Sequence, residues 1–301
     1  MSPRVAASYV TPSSPLWVAG RALLARRGVN LFDCWGRAGR TLELDTIHDL
    51  RVASRRVREC LVLFGPCYRS EEITRLGRKL KRLTKRLSAI RNTDEALLFL
   101  LGISGELTLP CRETQAGLLG HLRQEREFEA RRLGRFLRKT NRLSFAAFFR
   151  EFCRTPDLIG DGGVDPFMPV RRYVREAMRQ TLVEVASLVA AARCETDSQA
   201  QHCWRIAIKK LRYRLEIVTS VVKSPPDHVL AILKVYQELL GNLHDLDVYR
   251  ELVENVVTDS ASAAELVRII SGKRSGVWTE LLILEEMQPW EQLAAQIEEI
   301  L

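Results

Sequence analysis

The 301-residue sequence lacks long apolar runs, strand-like alternation and paired cysteines, and its first half has few acidic residues beside its basic ones. No stretch approaches the ~20 apolar residues a membrane helix needs. Met1 to Leu16 holds no signal-peptide core. Near-absence of polar–apolar alternation argues against sheet-based folds. The seven cysteines, Cys34, Cys60, Cys67, Cys111, Cys153, Cys194 and Cys203, are odd in number and form no Cys-x-x-Cys. They read as reduced thiols of a cytosolic protein, not as a disulfide framework or zinc site. No P-loop, His-Glu-x-x-His or nucleophile elbow occurs. Aromatic residues make up 7% of the chain. None interleave the main basic stretches in the way base stacking requires. Residues 1–150 carry 29 Lys plus Arg against 14 Asp plus Glu (+15), and residues 151–301 carry 17 against 23 (−6), giving the net +9. A basic half joined to an acidic half points to a specific polyanion site rather than to general stickiness.

What is present is helical periodicity throughout, with 46% hydrophobic residues to build a core. The pattern predicts helices over about 16–39, 44–64, 70–101 and 112–138, with a shorter piece near 143–153. After the Gly160–Pro166 linker it predicts 168–194, 198–222, 227–257 and 261–286, with a last piece near 289–301. Residues 1–160 and 161–301 thus form two similar halves. Long helices on short connections imply antiparallel bundles.

One basic motif occurs in both halves. His48, Arg51, Arg55, Arg56 and Arg58 reappear 154 residues later as His202, Arg205, Lys209, Lys210 and Arg212. This repeat implies an internal duplication. At ~100° per residue, His48, Arg51, Arg55 and Arg58 fall within an arc of roughly 80°. Leu50, Ala53, Val57, Leu61 and Phe64 oppose them. Trp204, Ala207, Leu211, Leu215 and Val218 likewise oppose the second set. The next helix adds a stripe of Arg75, Arg78, Lys79, Arg82, Lys85 and Arg86; its counterpart in the second half offers only Lys234. If the first two basic helices lie side by side, at least nine cations share one groove, and their repulsion calls for a multivalent anion. A second repeated segment, Leu87 to Asp94 and Leu240 to Asp247, matches at 153 residues and ends each time in an aspartate. That acid could hold a ladder arginine or punctuate its helix.

These motifs resemble the CHAD family, the "conserved histidine α-helical domain". The resemblance rests on the doubled His-x-x-Arg-x-x-x-(Arg/Lys)-(Arg/Lys)-x-Arg helix and the doubled Leu-x-x-(Ile/Leu)-x-(Asn/Asp)-x-Asp segment, and it spans Leu16 to Leu301. It implies an all-α fold of two four-helix bundles related by pseudo-twofold symmetry. It also implies a basic groove that binds inorganic polyphosphate, and association with polyphosphate granules. Carried over by position, the groove takes His48, Arg51, Arg55 and Arg58 with His202, Arg205, Lys209 and Arg212, and the second ladder Arg78, Lys79, Arg82, Lys85 and Arg86; the neighbouring motif cations Arg56 and Lys210, and Lys234 of the second-half counterpart, are expected to join them. Asn92 replaces the first acid of the repeated Asp-x-Asp, and residues 251–301 hold 3 cations against 10 acids.

Repetitive cation ladders suit a flexible chain with one charge per phosphate, because rungs ~5.4 Å apart follow it without one fixed register. The expectation is a binding module with no cofactor and no metal. The alternatives are a nucleic-acid-binding helical protein and a metal-dependent phosphohydrolase. His48-Asp49 and His244-Asp245 raise the latter, yet Asp49 is matched by Cys203 in the repeat.

Overall fold

The computed structural model describes residues 10–158 and 163–301. The predicted linker lies partly outside these residues, as does the start of the N-terminal segment. Among the described residues there are ten α-helices, two short 3₁₀ turns and no strand. The helices are α1 (Leu16–Ala38), α2 (Leu44–Phe64), α3 (Ser70–Gly102), α4 (Leu109–Lys139) and α5 (Arg142–Arg154), then α6 (Val170–Ala192), α7 (Ser198–Val218), α8 (Asp227–Val256), α9 (Ser260–Met287) and α10 (Trp290–Ile300). The all-α expectation therefore holds. The one substantial boundary difference is α7, expected to run to about 222. It stops at Val218 because Val221 N–H closes a tight turn on Val218 O at 2.8 Å, ahead of Pro225 and Pro226.

Local chemistry starts several helices. Asn141 Oδ1 accepts from Leu143 and Ser144 N–H at the head of α5, Asp197 Oδ1 from Ala200 N–H at α7, and Asp259 Oδ2 from Ser262 N–H at α9. Each such cap stabilises its helix by about 1 kcal/mol. Pro15 and Pro169 precede α1 and α6 with extended backbone that suits the position before a helix. The two prolines hold matching places in the two halves, and they lie side by side. Leu16 N–H donates to Met168 O and Val170 N–H to Ser14 O, both at 2.9 Å.

Consecutive helices pack on one another within each half. α5 folds back on α1, and α10 on α6 and α8. Across the halves α1 meets α6, α2 meets α7, and α4 meets α9. In each of these three contacts a helix meets the one that holds its own place in the other half. The α1–α5 contact is close: a Cβ on Gly28 would lie 2.3 Å from the Phe149 ring, so only glycine fits there.

The apolar faces form two clusters. The larger draws on all ten helices, with Trp204, Tyr236, Phe64, Phe149 and Trp290 among its fully buried side chains. The smaller joins the far ends of α3 and α4 to those of α8 and α9, where Phe99 stacks on Tyr249 at 4.7 Å. α3 and α8 are long, each reaching roughly 45–50 Å at the ordinary helical rise. That length lets each helix serve both clusters. Charged groups collect where one cluster gives way to the other.

Candidate functional site: a cationic cleft between three helices

The α2–α7 contact brings the two motif helices together with their apolar faces turned inward. Leu50, Val57 and Leu61 on α2, and Trp204, Leu211 and Leu215 on α7, are each at most 2% exposed. Burying such side chains contributes ~1.5–3 kcal/mol each and fixes where the opposite, cationic faces point. α3 lies along α2, pinned by a buried contact between the Ser54 and Thr84 hydroxyls at 3.1 Å. The three helices enclose a cleft of ≈ 400 Å³. Its cations are Arg55 and Arg58 from α2, Lys81 and Lys85 from α3, and Lys209 and Lys210 from α7, with Glu59, Thr84, Ser88, Ile206 and Tyr213 completing the wall.

Arg55, Arg58, Lys81, Lys85 and Lys209 have no carboxylate within ion-pair distance among the described residues. Lys210 is paired with Glu184. Glu59, the acid in the wall, leans back to the largely buried Arg214 at 3.8 Å, and burial holds its carboxyl above the usual range despite Arg214. Lys209 is pushed down to about 7, first by burial and then by Arg55, Arg205 and Arg51.

At one end of the cleft the ladders continue into a mixed-charge layer. Burial, then Arg55, push Arg51 down to about 10; its Nε is buried without a hydrogen-bond partner. Arg205, its match in the repeat, faces Asp245 at 3.6 Å and is lowered mainly by burial. Arg91 is paired with Glu95 at 2.8 Å. His48 lies in the second turn of α2 at the surface, and partial desolvation, then Arg51 and Arg91, lower its proton affinity. His202 turns to His244, with Nδ1 atoms 3.1 Å apart, so one ring donates to the other. Burial, then Arg205 and His202, push His244 down to about 4. Asp49, next to His48, is paired with Arg37 of α1 at 2.9 Å. Among the described residues no group of three or more His, Cys, Asp or Glu is arranged to hold a metal ion.

The other predicted residues lie elsewhere. Arg56 and Arg212 converge on Glu216: Arg56 Nε and NH2 meet it at 2.9 and 2.8 Å, and Arg212 NH1 at 2.8 Å. Arg212 Nε also donates to Gln237. Arg56 thereby ties α2 of the first half to α7 of the second, and Arg212 holds Glu216 in place from within α7; neither lines the cleft. The α3 stripe divides. Lys79 lies over the Phe145 and Phe148 rings at 5.3 and 5.2 Å, and Arg86 over Phe136 at 5.4 Å, all on the side of α3 toward α4 and α5. Arg78 borders a separate depression at the head of α3 with Ser70, Glu71, Thr74 and Arg75, and Arg82 is exposed. Lys234 is exposed on α8 beside Glu238 at 3.6 Å. The single groove of nine or more cations on α2 and α3 is thus a smaller cleft completed by α7.

Sequence reasoning missed Lys81. It stands four residues before Lys85 and seven before Ser88, and that spacing marks one helix face. It also missed the partners of the repeated aspartates. Asp94 accepts from Arg126 Nε of α4 at 2.6 Å, and Asp247 from Arg274 Nε of α9 at 2.7 Å. Neither holds a ladder arginine. Each locks its long helix to the helix that follows it.

Fold and site together define an all-α protein whose two motif helices, one from each half, meet at a shared cationic cleft. The CHAD domain family model matches residues 30–254, and the chain belongs to the CHAD domain family. Among solved structures it is similar to the CHAD domain from the plant Ricinus communis, with a TM-score of 0.63 and 22% identity over 99% of this chain and 96% of that one. It is also similar to PptA from Streptomyces chartreusis, with a TM-score of 0.69 and 16% identity over 92% of this chain and all of that one. At these identities the likeness is one of fold. No curated protein matches the chain.

Proposed function

We propose that this protein binds inorganic polyphosphate in the cleft between α2, α3 and α7, as a binding module rather than a catalyst. The observation that carries the reading is the set of five cations, Arg55, Arg58, Lys81, Lys85 and Lys209, around one cleft with no carboxylate in ion-pair contact. Like charges ~6 Å apart cost about 3 kcal/mol per pair at an effective dielectric near 20. A multivalent anion offsets that repulsion for all of them at once. Two arginines supply planar forks for phosphate oxygens, and three lysines supply mobile point charges. Such a mixed set follows a repeating chain without one fixed register. We also propose that the halves arose by duplication, on the strength of the shared motif spacing and the pairing of α1 with α6 and α2 with α7. Among the described residues no helix is long and apolar enough to cross a membrane. We assign the protein to polyphosphate granules in the cytoplasm as part of the same proposal.

Calorimetric titration with polyphosphates of defined length, at two salt concentrations, tests this. Affinity should fall as salt rises, as for other polyanions. Alanine at Arg55, Arg58, Lys85 and Lys209 together should weaken binding about 100-fold or more, from the loss of several charge-assisted contacts, while helicity by circular dichroism is kept. Unchanged affinity overturns the cleft as the site. Duplex DNA that competes equally at matched charge concentration overturns the choice of ligand.

A further inference from the structure

Four lysines share the cleft, and they do not share an environment. Lys81 and Lys85 on α3 are exposed, so water solvates their ammonium groups. Lys210 on α7 is paired with Glu184. Lys209 is half-buried and has cations of both motif helices near it. Arg51 and Arg55 face it from α2, and Arg205 lies one turn away on α7 itself. His244 of α8, also near, is unprotonated at neutral pH and adds no charge. The acid opposing this charge at Lys209 is Glu59, and Glu59 is committed to Arg214.

Such a crowd sheds charge where it can. A guanidinium keeps its proton in any protein setting, whereas a buried lysine gives its proton up readily. The first copy of the motif has Arg55 at this position, and the second has Lys209. Among the cleft-lining motif residues without a carboxylate partner, Arg55, Arg58 and Lys209, the lysine is therefore the one able to become neutral, and it sits where the two ladders meet.

We propose that Lys209 is a modification site: a free, nucleophilic amine in the empty cleft that small acyl phosphates acylate. The proposal rests on reading the cleft as an anion site. The surrounding arginines draw in the donor's phosphate and stabilise it as leaving group. The Nζ lone pair attacks the acyl carbon and forms the C–N bond. The C–O bond to phosphate then breaks, and phosphate departs with that electron pair. The nitrogen passes its extra proton to the departing phosphate. The products are an amide on Lys209 and inorganic phosphate, with no oxidant or reductant involved. The amide cannot regain charge, so each acylation permanently removes one cation from the polyanion site.

The test incubates the full-length protein with acetyl phosphate at pH 7.5 and follows each lysine by peptide mass spectrometry. Lys209 should be acetylated about tenfold or more faster than Lys81 and Lys85, because a lysine held at about 7 presents far more free amine than an ordinary one. A rate at or below theirs overturns the proposal. Arg55→Gln should slow Lys209, because removing a neighbouring cation lets the amine hold its proton. If Arg55→Gln speeds it, access rather than charge governs the amine, and the proposal fails. Tripolyphosphate, added as competitor, should protect Lys209. If protection is absent while Lys209 remains the fastest lysine, the polyphosphate reading of the cleft fails and the lysine's chemistry stands.

Discussion

On α2, Arg55 turns into the cleft and has no ion-pair partner among the described residues, whereas Arg56, one residue and ~100° further round, is held by Glu216 of α7 at 2.8 and 2.9 Å. The same division recurs on α7. Lys209 faces the arginines of both helices, while Arg212 joins Arg56 on Glu216. All four residues belong to one motif read as one ladder. The difference between them is direction. Cations turned toward a carboxylate are spent as charges, and through Arg56 that pairing also joins the halves. Cations turned away from one keep their field for a ligand. In a protein with net charge +9, the number of cations matters less for binding than the number left without a partner.

Breaking the clasp gives the largest effect on stability. Glu216→Gln leaves two partly buried guanidiniums without their shared anion, which costs about 1–3 kcal/mol. Thermal unfolding should shift down by several degrees. Polyphosphate affinity should not fall, because neither clasped arginine lines the cleft. Arg55→Ala should do the reverse, weakening binding while leaving the melting temperature unchanged or higher through relief of repulsion. If both variants move affinity and melting temperature in parallel, cleft and clasp are not separate functions of the motif.

A second contrast separates the matched locks of the two halves. Arg274 meets both oxygens of Asp247 and also donates to Gln201 Oε1 and Glu195 O. Arg126 meets Asp94 alone, and the other Asp94 oxygen has no partner. Asp247→Asn should therefore lose about 1–2 kcal/mol in urea unfolding, and Asp94→Asn less. Equal losses would mean that the network around Arg274 adds nothing to the pair itself.

The helices were legible because each buries a continuous apolar face, and a 3.6-residue period survives in the sequence. The motif ladders on α2 and α7 were legible for the same reason, with Leu50, Val57, Leu211 and Leu215 marking the side that faces inward. A helical projection gives directions, however, not neighbours. Nothing near α3 in sequence tells that Lys79 and Arg86 lie over Phe145, Phe148 and Phe136, which come from α5 and α4 much later in the chain. Nor could it place Arg126 and Arg274, 32 and 27 residues beyond their aspartates, in contact with them. Partner choice is a tertiary property. It decides which cations become the cleft, and Lys81 enters it because α7, not α3 alone, sets which side of α3 the cleft uses.

The smallest expected effect concerns the mixed-charge layer, where the halves again differ. Arg91 and His244 hold matching places in the repeated segment. Arg91 is always charged and is paired with Glu95 at 2.8 Å. His244 is pushed down to about 4 by burial, then by Arg205 and His202. Its contact with His202 uses one shared hydrogen and fails when both rings are protonated. The unfolded chain, with an ordinary histidine near 6.5, binds a proton more readily than the fold does. Stability from this group is therefore full above about pH 6.5 and is lost as pH falls toward about 4. The ring is partly solvated, so the loss should stay below about 1 kcal/mol. It should appear as a difference in slope: between pH 7 and pH 5, unfolding free energy should fall more steeply for the wild type than for His244→Gln. Arg91→Gln should leave the slope as it is, since no proton is exchanged at that position. A His244→Gln variant as steep as the wild type would show that the histidine pair stays neutral in the fold without affecting its stability, and that the two halves respond to acid alike.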